Sequence, residues 1–207
     1  MFKVVLQIAA LLLPGLPGLA TAGVHHYQAS GTNVSSLAGD RCTGTGQERF
    51  NSESLFVFAD TSTTEEGGRW ERFASEEKLK EYRETVNETY TIAKLWLDES
   101  GAAAVFTIFS ESGDWAKYVT HCFRKDGSLE EATIEYRTFY GHFVMIEQQK
   151  YDTSAKLIKS SRDYYDLMTD EPKTVEKEYL DDNSRLAAGD VYMSVDKLPF
   201  ASLIPKN

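Results

Sequence analysis

Two cysteines and four histidines are all that 207 residues offer to thiol and imidazole chemistry. There is no C-x-x-C, and two cysteines alone make a poor metal site, which excludes a zinc ribbon or a dithiol exchange motif. Gly-x-Ser-x-Gly, His-Glu-x-x-His and the Walker glycine loop are missing too. Gly44-Thr45-Gly46 is too short to cradle a phosphate, and Asp126-Gly127-Ser128 lacks the further oxygen ligands of a calcium loop. The sequence therefore offers no catalytic constellation and asks for no cofactor. Basic residues are also scarce: 22 against 32 acidic ones, for a net charge of −10. An acidic surface repels phosphate backbones and anionic lipid heads, so nucleic-acid and membrane-surface partners are not expected.

Long apolar runs are absent except at the start. Met1-Phe2-Lys3 is a short positive region, and Val4 to Leu13 is apolar but for Gln7. Pro14-Gly15-Leu16-Pro17-Gly18 then breaks the run ahead of Ala20-Thr21-Ala22. Small residues at Ala20 and Ala22 suit signal peptidase, so residues 1–22 read as a cleavable signal peptide. The apolar run is too short to span about 30 Å of hydrocarbon. The expectation is an exported, periplasmic or secreted protein with no stable membrane insertion after cleavage. Losing Lys3 moves the net charge from −10 to −11 and leaves 185 of the 207 residues, enough for a single globular domain over 23–207. In an oxidising compartment Cys42 and Cys122 are most simply one disulfide.

The same cleavage exposes Gly23-Val24-His25-His26. A free amine, two backbone amides and the His25 imidazole give four nitrogens in a plane, which suits Cu(II) or Ni(II). Gly23, Val24 and His25 are thus a candidate metal site, conditional on cleavage at that bond.

What the chain has in quantity is aromatic, alternating sequence. Residues 23–53 are loop-rich, and Leu55 to Ala59 reads as a short strand. Ser75 caps a helix predicted over 76–87, with Glu76 and Glu77 in its first turn. Leu79, Tyr82 and Val86 share one face, and Glu76–Lys80 and Lys80–Glu84 pair along another. The period then changes to two. Strands are predicted at 90–97, 103–109, 115–124, 129–139, 142–151 and 155–165, with Asp98, Asp126 and Asp152 opening three of the turns. Asp126-Gly127 supplies the positive φ of a tight hairpin. Residues 167–207 form a polar extension. Within it, 176–185 is open between short helix and loop, Val191 to Val195 is a candidate edge strand, and Leu198-Pro199-Phe200 and Leu203-Ile204 are apolar enough to dock.

The fold class that follows is β-rich α+β. A long antiparallel up-and-down meander of about six strands, curved or half-barrel, carries one packed helix. Two arrangements fit: a curved, partly open barrel with the helix in its mouth or concave face, or a helix wrapped by a four- or five-stranded sheet.

Alternation puts Trp115, Val119 and Phe123 on one face, with Tyr118 and Cys122 on the other. His121 therefore points away from its neighbour Cys122, and His142 would have to approach across the sheet to act as that thiol's base, so Cys122 reads as structural. Val144, Met145 and Ile146 are consecutive, so apolar side chains face both ways and both faces need covering. One reading covers them with the helix and the terminal segments. The other leaves a hydrophobic cavity on the second face, with Trp115, Tyr118, Phe123, Tyr136 and Phe143 as candidate ligand contacts. The function expected is a non-catalytic extracytoplasmic binding module for an apolar ligand or a protein partner, with a pocketless interaction protein as the alternative.

Overall fold

A computed structural model describes residues 55–62, 68–85, 89–99, 101–181 and 190–205. Cys42 and the candidate metal residues Gly23, Val24 and His25 lie outside these, as does Val86 of the predicted helix face.

Eight strands form one antiparallel sheet: β1 (Leu55–Asp60), β2 (Trp70–Phe73), β3 (Thr91–Asp98), β4 (Gly101–Phe109), β5 (Trp115–Arg124), β6 (Leu129–Thr138), β7 (Phe143–Tyr151) and β8 (Leu157–Asp166). Their spatial order is β2-β1-β3-β4-β5-β6-β7-β8, and β2 and β8 remain the edges of an open sheet. The β-rich α+β meander is therefore as the alternation predicts, with two strands more than the six of the core meander. One is the expected strand at Leu55. The other is β2, which no periodicity announces in four residues reading Trp-Glu-Arg-Phe.

The three Asp-opened turns share one physical device at one end of the sheet. The Oδ1 of Asp98 accepts from Gly101 N at 3.1 Å, that of Asp126 from Ser128 N at 2.9 Å, and that of Asp152 from Ser154 N at 2.8 Å. These carboxylates satisfy turn amides that the ladder leaves free. Between β5 and β6, Arg124 N donates to Ser128 O and Gly127 N to Arg124 O, with Gly127 at φ +81°. This is a three-residue loop ending in a left-handed residue, one longer than the tight pair the sequence suggests.

The helix α1 (Glu76–Thr85) begins as predicted, with Ser75 Oγ accepting from Lys78 N at 3.3 Å. Lys80 reaches Glu84 at 3.9 Å, but Glu76 pairs with Lys94 of β3 at 2.8 Å rather than with Lys80. Only Leu79 of the helix is buried, packed with Val57 and Ala59 of β1. The helix thus covers one end of one face. It packs on a face of an open sheet rather than filling the mouth of a barrel.

The other face is covered from the C-terminus. Leu198 and Phe200 join the core formed by Phe58, Leu95, Phe106, Val119, Ile134 and Met145. The predicted edge strand at Val191 to Val195 is instead an irregular strap. It makes a single bridge, Ser194 to Ser128, and passes into a 3-10 turn at Val195–Lys197. Leu129 N donates to Met193 O at 2.8 Å and Val195 N to Gly127 O at 3.0 Å, tying the strap to the β5–β6 hairpin. Residues 177–181 are helical.

Candidate functional site

Four of the five candidate ligand contacts lie on the core face. Register sets Trp115 opposite Thr138, and Thr138 opposite Phe143, while Tyr136 neighbours Met145. Trp115 and Tyr136 rings lie 5.9 Å apart, and Tyr136 and Phe143 rings 6.3 Å apart. Phe123, Tyr136 and Phe143 are buried. Tyr118 projects from the opposite face, where it pairs with Glu135. Cys122 shares that opposite face, as alternation requires.

The same face is occupied by the protein itself where the strap lies over β1, β2 and β4. Phe200 is fully buried, stacked on Phe58 at 4.1 Å and within 5.2 Å of Trp70 and 5.6 Å of Phe106. Tyr192 lies against Phe106 at 5.3 Å. Aromatic side chains of this size dominate a core when their faces and edges are all in contact, as here.

A polar clasp fastens the strap. His121, wholly buried on β5, places Nε2 3.1 Å from Tyr192 N and 3.0 Å from Asp190 O. Nε2 thus faces both a donor, Tyr192 N–H, and an acceptor, Asp190 O, and the tautomer of the ring decides which of the two it bonds. Burial pushes the His121 pKa down to about 4, against the pull of Asp190. Lys117, four residues earlier on the same face of β5 and buried, reaches the Asp190 carboxylate at 2.6 Å. His121 is thus a core histidine holding chain to chain. His142 does not approach Cys122: it precedes Phe143 at the far end of the sheet, level with Trp115 rather than His121. Six residues of extended strand separate those levels by about 20 Å.

That far end holds the open, aromatic part of the molecule. The turn between β6 and β7 carries Phe139, Tyr140, Gly141 and His142, with Gly141 at φ +83° and His142 at φ +50°. A Cβ on Gly141 would stand 3.0 Å from the Tyr179 ring and 3.1 Å from Phe143, so a side chain there would push both rings back by a few tenths of an ångström, on backbone that already favours glycine. The chain returning from β8 is stapled there. Lys173 Nζ donates to Gly141 O at 3.1 Å, to His142 O at 2.7 Å and to Asp166 Oδ2 at 3.1 Å. The amide of Met168 and the Lys173 ammonium hold the Asp166 carboxyl below the usual carboxylate range.

Tyr140 then meets Tyr179 edge-on at 5.0 Å. Phe139, Tyr140, His142, Val175, Glu176 and Tyr179 are among the residues framing a cleft of about 380 Å³. On the other side of Lys173 and Thr174 a second cleft, of about 420 Å³, is framed by Arg162, Tyr164, Tyr165 and Pro172. Sequence reasoning missed the first cleft. The signal available was Phe139-Tyr140-Gly141, two adjacent aromatics running into a glycine turn, but nothing local tells that their rings stay in solvent.

Among the described residues, no group of three or more His, Cys, Asp or Glu is placed to hold a metal ion. No described helix is long and apolar enough to cross a membrane. No family model, no curated protein and no solved structure matches the chain.

Proposed function

We propose that this protein is an exported, non-catalytic binding module that receives a protein partner at the cleft between Tyr140 and Tyr179. The observation that carries the reading is a division among its aromatic residues. Phe58, Trp70 and Phe106 of the sheet face pack against Phe200 of the C-terminal strap, whereas Phe139 and Tyr140 are 44% and 53% exposed beside a cleft. Rings in that position suit an interface anchor: large contact area, few rotatable bonds and a hydroxyl for the rim. Satisfied backbone at the turn keeps the cleft rigid, which lowers the entropic cost of docking. Export rests on the signal-like residues 1–22, and the Cys42–Cys122 disulfide belongs to the same proposal.

The test is native mass spectrometry of the protein purified from its own host, beside Tyr140→Ala and Tyr179→Ala variants. A partner chain should accompany the wild type and be lost from both variants at unchanged melting temperature. A small-molecule adduct instead of a chain, or a partner indifferent to both substitutions, would overturn the assignment.

A further inference from the structure

Tyr140 and Tyr179 give the cleft at the far end of the sheet a particular shape. Their rings stand 5.0 Å apart at 78°, so they make a corner whose two walls are aromatic. Both line the cleft of about 380 Å³, together with Phe139 of the same turn. The face of an aromatic ring is the negative side of its quadrupole, and a cation set in such a corner is attracted by both walls.

The charge around the corner has one sign. Glu176 lines the same cleft. Its side chain is exposed, and among the described residues it enters no ion pair. Lys173 lines the cleft as well, but its ammonium already donates to Gly141 O, His142 O and the Asp166 carboxylate. That carboxylate neutralises it, so it opposes a second cation weakly. Residues 166–181 carry six acids against two lysines, within a chain of net charge −10. A field of this sign draws cationic groups toward the cleft.

An apolar anchor would satisfy the rings alone. It would also strip water from the Glu176 carboxylate and leave it unpaired, which is unfavourable. A cation satisfies rings and carboxylate together. Arginine does so best, because its planar guanidinium stacks on an aromatic wall and offers a carboxylate two parallel hydrogen bonds. Arginine is also enriched among the residues that anchor protein interfaces.

We infer, resting on the protein-docking reading of this cleft, that the group it receives from its partner is a cationic side chain, arginine in preference to lysine. Tyr140 and Tyr179 hold the cation between their rings, and Glu176 supplies the counter-charge.

The test is a nuclear magnetic resonance titration of the isotope-labelled protein at about pH 8, where histidine side chains are neutral. The probes are blocked tripeptides, acetyl-Gly-X-Gly-amide, with arginine, lysine or citrulline at X. Citrulline keeps the shape of arginine without its charge. The arginine peptide should shift the amides of Tyr140, Gly141 and Tyr179 saturably, with a millimolar Kd as befits a single anchor. Lysine should bind less tightly, and citrulline at least about tenfold less tightly than arginine. Glu176→Gln should weaken the arginine peptide at least about threefold at unchanged melting temperature, and Tyr140→Ala should abolish its binding. Citrulline binding as tightly as arginine, binding indifferent to Glu176→Gln, or no shift from any peptide overturns the inference. Choline binding more tightly than the arginine peptide would mark a small-molecule amine site and overturns it too. The titration needs no partner from the host, so the two readings fail separately. A host partner released by Tyr140→Ala, beside a failed titration, removes the cation and keeps the docking site.

Discussion

A neutral imidazole inside an apolar face is tolerated while it stays neutral. Unfolded, His121 takes up a proton near pH 6.5; folded, it does so only near 4. Between those values the unfolded chain binds more protons, so stability falls as pH falls through this window. The contribution is present in full above pH 6.5 and lost by pH 4. At 1.36 kcal/mol per unit it amounts to about 3 kcal/mol. Urea denaturation of wild type at pH 7 and pH 4.5 should show that loss, and His121→Gln should flatten it. An equal pH dependence in the variant would mean that His121 is not held neutral by its surroundings.

Two other residues make a matched pair. Gly127 at φ +81° and Ala155 at φ +62° occupy the same place in equivalent loops. In each, an amide three residues on donates back to the loop's first carbonyl: Gly127 N to Arg124 O, and Ala155 N to Asp152 O. One loop carries the residue that left-handed backbone favours and the other does not. Gly127→Val should lower stability by roughly 1 to 2 kcal/mol, while Ala155→Gly should raise it by roughly 0.5 to 1 kcal/mol after the entropy of the freer unfolded chain. Opposite shifts in melting temperature are expected. Shifts of the same sign would show that the two loops are not equivalent.

At the scale of elements, the strands were legible because alternation is a long-range average. Lys117, Val119, His121 and Phe123 are buried in strict alternation along β5, and the Asp turns mark where each strand ends. What was not legible had no period. β2 is four residues with two charges, visible only as the partner of β1. The strap from Asp190 to Ile204 is irregular, and it is held by side chains far away in sequence, Lys117 and His121, so no local pattern could place it. Its apolar residues still announced that the tail docks. The cleft was illegible for the converse reason: exposure of Phe139 and Tyr140 depends on where residues 166–179 return, set by the Lys173 staple. One element claim remains to be measured. A Cys42–Cys122 bond would close a loop of about 80 residues and stabilise by about 4 to 5 kcal/mol in the chain-entropy view, less any strain. Non-reducing peptide mapping should recover the linked pair; two free thiols would remove that bond from the account.

Across the whole molecule, the aromatic residues divide by what covers them. One set, buried under the C-terminal strap, holds the fold together. The other, at the far end of the sheet, is the surface proposed for an outside partner. Phe200 and Tyr140 represent the two sets: the first is fully buried among Phe58, Trp70 and Phe106, the second is 53% exposed with its ring edge-on to Tyr179. The most direct measurement is the unfolding free energy of Phe200→Ala and Tyr140→Ala beside wild type, at neutral pH in urea. Truncating a buried phenylalanine should cost about 3 to 5 kcal/mol, whereas truncating the exposed tyrosine should cost no more than about 1 kcal/mol. A Phe200→Ala protein as stable as wild type would contradict the account, because the strap would then be a removable lid over a binding face and not part of the core.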